Sequence, residues 1–254
     1  MLDFYSFKSF QKYPNLLHLV TTKSSDMPYS FSLALHTGED KKTIISNRDL
    51  VAKELQTQST LHFIVANQTH SNNIHIITED NARGWKSLDD AIEACDALIT
   101  NLPHVILTIL TADCVPILLY DKKNHVVAAI HAGWKGTKAQ ITRKTISKMK
   151  EVFNSDAKDI VVAIAPSIGS CCYEVGEDVA QHFFDTPQGF RQVKEKYMLD
   201  LPKINKIQLL QSGLKEEHIE MSNICTACEV ERFFSYRKEQ GCSGRFMSMI
   251  GLKD

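Results

Sequence analysis

Residues 116–153 read PILLYDKKNHVVAAIHAGWKGTKAQITRKTISKMKEVF and combine two apolar runs with a helical pattern. The link between the runs, KKN, is too short to hold a crossover helix, so the runs are predicted to form an antiparallel hairpin. From Lys138 onward, apolar residues recur at helical spacing while Lys and Arg fill the opposite face, which predicts an amphipathic helix lying on the sheet. Its buried stripe is predicted to comprise Ile141, Thr145, Met149 and Val152, with Ile146 and Phe153 beside it.

Further short apolar runs, most of them bounded by Asn, Asp, Gly or Pro, predict more strands on both sides of this unit. They are LHFIVAN, NIHIIT, DALIT, HVILTIL and DIVVAIAP. The link within DALITNLPHVILTIL is again short, which predicts a second hairpin. Two more helices are predicted over residues 47–55 and 201–214. The expected fold class is therefore α/β in the α+β sense, with packed mixed, largely antiparallel β-sheets flanked by helices.

Composition narrows the possible partners and the compartment. The chain shows no Pro/Gly-rich linker and no internal repeat, so residues 1–254 are expected to form a single domain. Lys plus Arg number 29 against 30 Asp plus Glu, so no net field favours nucleic acid or an anionic membrane. No stretch approaches the roughly 18 apolar residues of a membrane span. An odd set of seven cysteines suits a reducing compartment, and we expect a cytoplasmic protein.

Two histidines and one cysteine each stand where an apolar run gives way to a turn. His70 follows LHFIVA, Cys114 separates two apolar runs, and His131 precedes two small residues that let a ligand approach the backbone. A set of two histidines and one cysteine supplies three ligands for Zn²⁺ and leaves the fourth position open, and Cu²⁺ accepts the same donors. The spacings match no compact zinc finger, so the tertiary fold has to assemble the site.

Six blocks of the sequence resemble, in order, the laccase-domain family. This YfiH-like family is also called the multicopper polyphenol oxidases, and more recently purine nucleoside phosphorylases. The resemblance implies a fold similar to the catalytic domain of cytotoxic necrotising factor toxins, and it implies that His70, Cys114 and His131 occupy the metal-binding positions. The blocks are QTHSNNI, DALIT, TADCVPILLYD, AAIHAGWKGT, AIAPSIGSCCYEV and CTACEVERFFSYRKEQGCSGR.

The same resemblance implies an activity. It is phosphorolysis of adenosine, inosine, guanosine and methylthioadenosine to base and pentose 1-phosphate, together with deamination of adenosine. An open zinc site suits deamination because a metal lowers the pKa of a water that can attack the purine. Phosphorolysis needs cationic side chains to hold phosphate beside the sugar. The expected partners are purine nucleosides and phosphate, and the expected state is a monomer or weak homodimer.

Five residues are candidates for roles beside the metal. Arg48, Lys135 and Arg245 are candidates for binding phosphate, and Trp134 for stacking on a purine. Lys135 stands where family members commonly carry Arg, and a lysine cannot bind phosphate in the bidentate geometry of a guanidinium. Asp113, next to Cys114, is a candidate catalytic residue in proton transfer or in support of the metal. The family's paired glycines are absent from TTKSSDMPYSFSLALHTGED, which puts the substrate preference in question.

The cysteines of the CTAC block are expected to be structural thiols rather than metal ligands. Cys225 and Cys228 form a C-x-x-C pair, but no second pair with zinc-ribbon spacing follows, and Cys242 alone does not complete a set. The adjacent Cys171 and Cys172 are assigned no chemistry.

Three other functions stay open at this point. Cys114 with His131 as its base would suit a cysteine hydrolase or amidase of peptidoglycan editing, whose activity would survive a chelator. A copper phenol oxidase is less favoured, because the ten histidines include no H-x-H pair. A binding protein without turnover is the last possibility.

Overall fold

The computed structural model describes residues 2–55, 59–241 and 243–253, and Cys242 lies outside them. Fourteen strands and five α-helices are present in this part of the chain. The strands are β1 (Phe4–Tyr5), β2 (Leu16–Thr21), β3 (His62–Val65), β4 (Ile74–Ile76), β5 (Ala97–Thr100), β6 (Val105–Thr111), β7 (Val115–Asp121), β8 (Val126–Ala132), β9 (Ile160–Ile164), β10 (Glu174–Val175), β11 (Phe190–Val193), β12 (Lys196–Leu199), β13 (Ile219–Met221) and β14 (Phe246–Leu252). The helices are α1 (Lys41–Glu54), α2 (Trp134–Lys138), α3 (Ile141–Phe153), α4 (Glu177–Ala180) and α5 (Leu201–Gln211).

The strands form three sheets. Their orders are β1-β2-β14-β6-β3, β13-β9-β7-β8-β5-β4 and β10-β12-β11. Among the described strands, the β3–β6, β4–β5 and β9–β13 pairs are parallel and the others are antiparallel. The predicted hairpin of β7 and β8 is confirmed, with a register that runs from Val115 opposite Ala132 to Asp121 opposite Val126. The prediction of mixed, largely antiparallel sheets flanked by helices is confirmed as well.

The second predicted hairpin is wrong, because β5 and β6 belong to different sheets. The link between them turns at His104, whose φ is +63°. The His104 N–H donates to Leu252 and its carbonyl accepts from His62, so the chain joins the five-stranded sheet. Every residue of both strands is buried. Strands that are apolar on both faces can lie in either of two stacked sheets, so the short link was not decisive.

Helix α3 covers the six-stranded sheet as predicted, with two differences. It begins at Ile141 rather than Lys138, because Gln140 adopts a left-handed conformation that separates it from α2. Ile141, Thr145 and Met149 are buried, whereas Val152 is 43% exposed, so that part of the predicted stripe is wrong. Helices α1 and α5 also begin or end a few residues away from their predicted limits.

Three apolar layers hold these elements together. One lies between the two large sheets and includes Leu107 and Ile250 on one side and Leu118 and Ala129 on the other. The second lies between the six-stranded sheet and helices α3 and α5. The third lies between α1 and the other face of the five-stranded sheet. The site residues therefore rest on strands that are packed on both faces. None of the described helices combines the length and apolar character needed to cross a membrane.

Candidate functional site

His131 lies near the end of β8, is 3% exposed and is held by Asp96. Its Nδ1 is 2.7 Å from Oδ1 of Asp96, and its backbone N–H donates to the Asp96 carbonyl at 2.8 Å. A carboxylate at Nδ1 keeps the ring proton on that atom and leaves the Nε2 lone pair for another partner. The same pairing orients many histidines that bind metals.

The Asp96 carboxylate also organises the loop that carries His70. The backbone N–H groups of His70 and Ser71 donate to it at 3.0 and 2.7 Å, and the Ser71 hydroxyl donates at 2.6 Å. His70 has a φ of +59°, a left-handed conformation that costs energy in a residue with a side chain. These hydrogen bonds offset that cost. One carboxylate therefore positions two of the three predicted ligands.

Cys114 lies in the turn between β6 and β7, where the chain passes from one large sheet to the other. The preceding Asp113 has a φ of +90°, so the backbone turns sharply there. Its carboxylate accepts the Thr226 hydroxyl at 2.6 Å and the Arg237 N–H at 2.7 Å, one on each oxygen. Asp113 therefore ties the Cys114 turn to the C-terminal block.

The three predicted ligands converge. Their donor atoms lie within 4.8 Å of one another, and Nε2 of His70 is 3.7 Å from Sγ of Cys114. Gly133 leaves room for this approach, because a Cβ there would sit 2.9 Å from Cδ2 of His70 and 3.1 Å from the Cys114 sulfur. Two imidazoles and a thiolate are donors for Zn²⁺ or Cu²⁺ and leave a coordination position for a small molecule.

The environment separates the proton affinities of Cys114 and His131. Burial alone would raise the pKa of the thiol, but the charge and hydrogen bond of His131 lower it to about 6. Burial alone would lower the pKa of His131, but Cys114 and Asp96 raise it to about 9. The Asp96 carboxyl is buried too, yet hydrogen bonds from His131 and Ser71 lower its pKa to about 2. Without a metal, the pair is therefore thiolate and imidazolium near neutral pH.

Alkylation of the chelator-treated protein tests this charge state. We expect carboxamidomethylation of Cys114, followed by peptide mass spectrometry, to rise with a midpoint near pH 6. At pH 7 about nine-tenths of such a thiol is thiolate, against about one-hundredth at a pKa of 9. Cys95 is the internal control, because burial raises its pKa to about 11. A Cys114 midpoint near pH 9 would contradict the thiolate assignment.

The ligands line a cavity of about 610 Å³. Such a volume lies in the range of sites for small organic ligands. The cavity joins the three predicted ligands to aromatic rings and guanidinium groups, so it offers stacking surfaces and anion-binding groups next to them. Its other lining residues include His36, Trp134, Tyr173, Tyr236, Arg237 and Arg245.

Two of the three phosphate candidates lie elsewhere. Arg48 is fully buried, and its guanidinium donates to the carbonyls of Leu33, Gly84 and Trp85 at 2.6–2.8 Å. Lys135 is exposed on α2, with Nζ 5.6 Å from the centroid of the Trp134 ring. Neither residue lines the cavity. The position of a basic residue in the sequence did not indicate whether its side chain faces the cavity, the solvent or nearby backbone carbonyls.

The remaining candidates do line the cavity. Arg245 is half-buried, and its Nη1 donates to the carbonyls of Ser243 and Gly244 at 2.7 and 2.8 Å. Burial lowers its pKa, which reflects the cost of holding this cation away from water. Trp134 is stacked on His182, with ring centroids 5.9 Å apart and planes 7° apart. Its ring is therefore oriented by packing at the cavity edge.

Sequence reasoning missed three residues that shape the site. Asp96 opens the quoted block DALIT, and a carboxylate at the start of a buried strand was the available signal. Tyr173 and Arg237 line the cavity, and the Arg237 guanidinium lies 5.3 Å from the Tyr173 ring centroid. Both stand inside blocks that carried the family resemblance, but only the fold shows that they line the same cavity as the predicted ligands.

The segment without the family's paired glycines also reaches the cavity. Within residues 21–40, three consecutive residues, Tyr29, Ser30 and Phe31, have φ of 52°, 51° and 68°. The backbone of these three residues therefore has a left-handed conformation that glycine adopts more easily than residues with a side chain. The segment supplies His36 to the cavity, and burial together with nearby arginines lowers the pKa of that imidazole. A neutral histidine therefore faces the ligand space.

Comparison with known proteins identifies the family to which this chain is similar. A family of sequences described as multi-copper polyphenol oxidoreductase laccase matches residues 18–253. Purine nucleoside phosphorylase YlmD of Bacillus subtilis (strain 168) is 35% identical over 244 residues, which cover 92% of this chain and 87% of the relative. A purine nucleoside phosphorylase of Bacteroides thetaiotaomicron is 35% identical over 255 residues, covering 96% and 94%.

Solved structures give the same result. The Bacillus licheniformis hypothetical protein YfiH has a TM-score of 0.88 and 36% identity, covering 94% of this chain and 93% of that one. YlmD of Geobacillus stearothermophilus has a TM-score of 0.90 and 31% identity, covering 98% and 94%. The chain therefore belongs to the family of multi-copper polyphenol oxidoreductase laccases, with YfiH and YlmD among its relatives.

Proposed function

We propose that this protein is a metal-dependent purine nucleoside phosphorylase. The observation that carries the proposal is the set of His70, Cys114 and His131, converging within 4.8 Å at a cavity lined by aromatic and guanidinium side chains. Relatives that share about a third of its residues over most of its length are named purine nucleoside phosphorylases.

The residues present fit a Zn²⁺ ion, and Cu²⁺ is the second candidate. His70 and His131 offer imidazole nitrogens, Cys114 offers a sulfur whose pKa favours the thiolate, and Asp96 fixes the His131 ring. This donor set leaves a position open for a small molecule, as catalytic zinc sites require. When bound, the ion supplies Lewis-acid chemistry beside the substrate.

The remaining cavity residues divide between the two substrates. We place phosphate near Arg245 and Arg237, because guanidinium groups hold phosphate oxygens in bidentate geometry. We place the purine against Trp134, Tyr173 and Tyr236, whose rings offer stacking surfaces. Burial raises the pKa of Tyr173 to about 12, so its hydroxyl stays a donor at neutral pH. Asp113 serves as a positioning residue through Thr226 and Arg237.

The proposed substrates are adenosine, inosine, guanosine and methylthioadenosine. Each gives a free base and a pentose 1-phosphate, while deamination of adenosine gives inosine in the same cavity. Burial lowers the pKa of His36, so it offers a neutral imidazole for hydrogen bonds to a base. We propose that the protein acts as one domain over residues 1–254, in the cytoplasm, as a monomer or weak homodimer.

A product analysis tests the activity. Wild-type protein and Arg245→Ala would be incubated with adenosine and phosphate, and the products separated by chromatography. We expect ribose 1-phosphate in an amount equal to the sum of adenine and hypoxanthine, the latter arising from adenosine that is first deaminated to inosine. In Arg245→Ala we expect a raised KM for phosphate. Lys135→Ala is the matched control, since its side chain lies outside the cavity. Absence of adenine, ribose 1-phosphate and inosine would reject the proposal.

The geometry also supports a second candidate, a cysteine hydrolase or amidase active in peptidoglycan editing. Cys114, His131 and Asp96 form a thiolate, an imidazolium and an orienting carboxylate, which is the arrangement of nucleophilic cysteine enzymes. The implied likeness to cytotoxic necrotising factor toxins belongs to this alternative. Hydrolysis of a peptidoglycan fragment that persists in chelator would favour it. Oxidation of a phenol only after copper loading would favour the phenol oxidase.

A further inference from the structure

A second cluster of metal-binding side chains lies behind the wall of the cavity. The adjacent pair Cys171 and Cys172 meets the C-x-x-C pair Cys225 and Cys228, and all four sulfurs lie within 4.8 Å of one another. No second pair with zinc-ribbon spacing follows Cys228, because the partner pair precedes it by more than fifty residues. Only the tertiary fold brings the two pairs together.

A backbone turn places the side chains of the adjacent Cys171 and Cys172 close to the same sulfur, that of Cys228. Neighbouring residues of an extended strand face opposite ways, but the N–H groups of Cys172 and Tyr173 both donate to the Gly169 carbonyl at 3.0 Å, which makes a turn. Consequently Cys171 and Cys172 lie 3.5 and 3.4 Å from the Cys228 sulfur, measured between Sγ atoms. The two sulfurs thus share a neighbour.

The other pair is fixed by the neighbouring chain. Ser167 pairs with the segment that holds Cys225: its N–H donates to the Ile224 carbonyl, and its carbonyl accepts from the Thr226 N–H. The Gly169 N–H then donates to the Cys225 sulfur at 3.3 Å. A backbone donor aimed at a sulfur favours its thiolate form, which is the form that binds metals.

We propose that Cys171, Cys172, Cys225 and Cys228 bind one Zn²⁺ ion as a four-thiolate structural site. A tetrahedral ion with bonds of about 2.3 Å places its sulfurs about 3.8 Å apart. The shortest separations here, 3.4 and 3.5 Å, are close to that value, and none of the four cysteines is in a disulfide. A closed set of four ligands leaves no position for a substrate, so this ion would have a structural role.

An ion at this second site would stabilise the segments that position residues of the candidate active site. Thr226, between Cys225 and Cys228, bonds to Asp113. Arg237 donates to the carbonyls of Cys172 and Glu174, so the residues around the cluster position the cavity-lining Arg237. Cys171 and Cys228 are exposed, and Cys171 and Cys225 also line an open cleft of about 570 Å³. An ion can therefore enter without passing through the first site.

Metal counting on the full-length protein tests the proposal independently of nucleoside turnover. Zinc would be measured by mass spectrometry after dialysis in wild type, Cys114→Ala, Cys228→Ser and the double variant. We expect about two, one, one and no ions per chain. Cys95→Ser is the matched control, because that buried thiol lies outside both clusters, and we expect it to keep two.

A spectroscopic test covers the case in which Cys228→Ser folds poorly. Co²⁺ added to Cys114→Ala from which zinc has been removed should give intense thiolate-to-metal absorption, which Cys171→Ser in that background should reduce. Overturning results are a Cys114→Ala protein that retains no zinc and gives no such absorption, or an intact mass showing that two of these cysteines form a disulfide. A wild-type protein that binds both ions but shows no phosphorolysis would reject the proposed function without contradicting the second metal site.

Discussion

Replacing Asp96 by Asn is expected to destabilise the protein by about 2–4 kcal/mol and to weaken zinc binding by about 10–100-fold. The carboxylate accepts hydrogen bonds on both oxygens, from His70 and His131 on one and from Ser71 and Thr69 on the other. An amide keeps only one accepting oxygen and turns its NH₂ toward N–H donors. The His70 loop and the His131 ring therefore lose their common support.

The same carboxylate predicts how stability depends on pH. Its pKa in the folded protein is lowered to about 2, so its contribution is present above the unfolded-state value near 4 and is lost as the pH falls toward 2. Urea unfolding of wild type and Asp96→Asn at several pH values measures the change in stability, and zinc titration measures the change in affinity.

Asp121→Asn is the control, since this buried carboxylate caps the β7–β8 turn at Lys123 and Asn124. It should lower stability and leave zinc affinity unchanged, and an equal zinc affinity in both variants would contradict the role given to Asp96.

Replacing Cys114 by Ala is expected to lower kcat/KM for phosphorolysis of adenosine by about 10³-fold or more, because an electrophilic group beside the reacting atoms is lost with the ion. The remaining imidazoles, His70 and His131, are two ligands, fewer than a catalytic zinc site uses. Without the thiolate, His131 also loses one of the charges that raise its pKa. The ion bound by His70, Cys114 and His131 and the activity should therefore be lost together.

Steady-state kinetics and zinc analysis of the same Cys114→Ala preparation check this expectation. Cys95→Ala serves as the control, because Cys95 is 2% exposed in the core and is not among the cavity residues. Full activity of Cys114→Ala with the wild-type zinc content would show that the sulfur is not a ligand. Full zinc content with lost activity would favour the cysteine hydrolase over the metal enzyme.

Sequence reasoning succeeded where the pattern was local. The β7–β8 hairpin followed from the length of a three-residue link, and α3 followed from apolar spacing over thirteen residues. It failed for β5 and β6, because strands buried on both faces carry no sign of which sheet they join. It also overextended the α3 stripe to Val152, where the helix reaches its exposed end.

The candidate site shows the same limit. His70, Cys114 and His131 could be singled out because each stands at the end of an apolar run, and the family resemblance then joined them. Asp96 could not be assigned to them, since its carboxylate joins residues 69–71 to His131, two segments that lie far apart in the sequence. Arg48 and the two cysteine pairs depend in the same way on contacts between distant parts of the chain, which no spacing in the sequence records.

The most direct test of the central claim is reconstitution of the activity with metal. Ribose 1-phosphate formation from adenosine and phosphate would be measured on the protein as purified, after removal of metal from the His70, Cys114 and His131 site by a chelator, and after return of Zn²⁺ or Cu²⁺. We expect the activity to fall with the metal content and to return with one added ion per chain. Undiminished phosphorolysis by protein shown to hold no metal at this site would contradict the account.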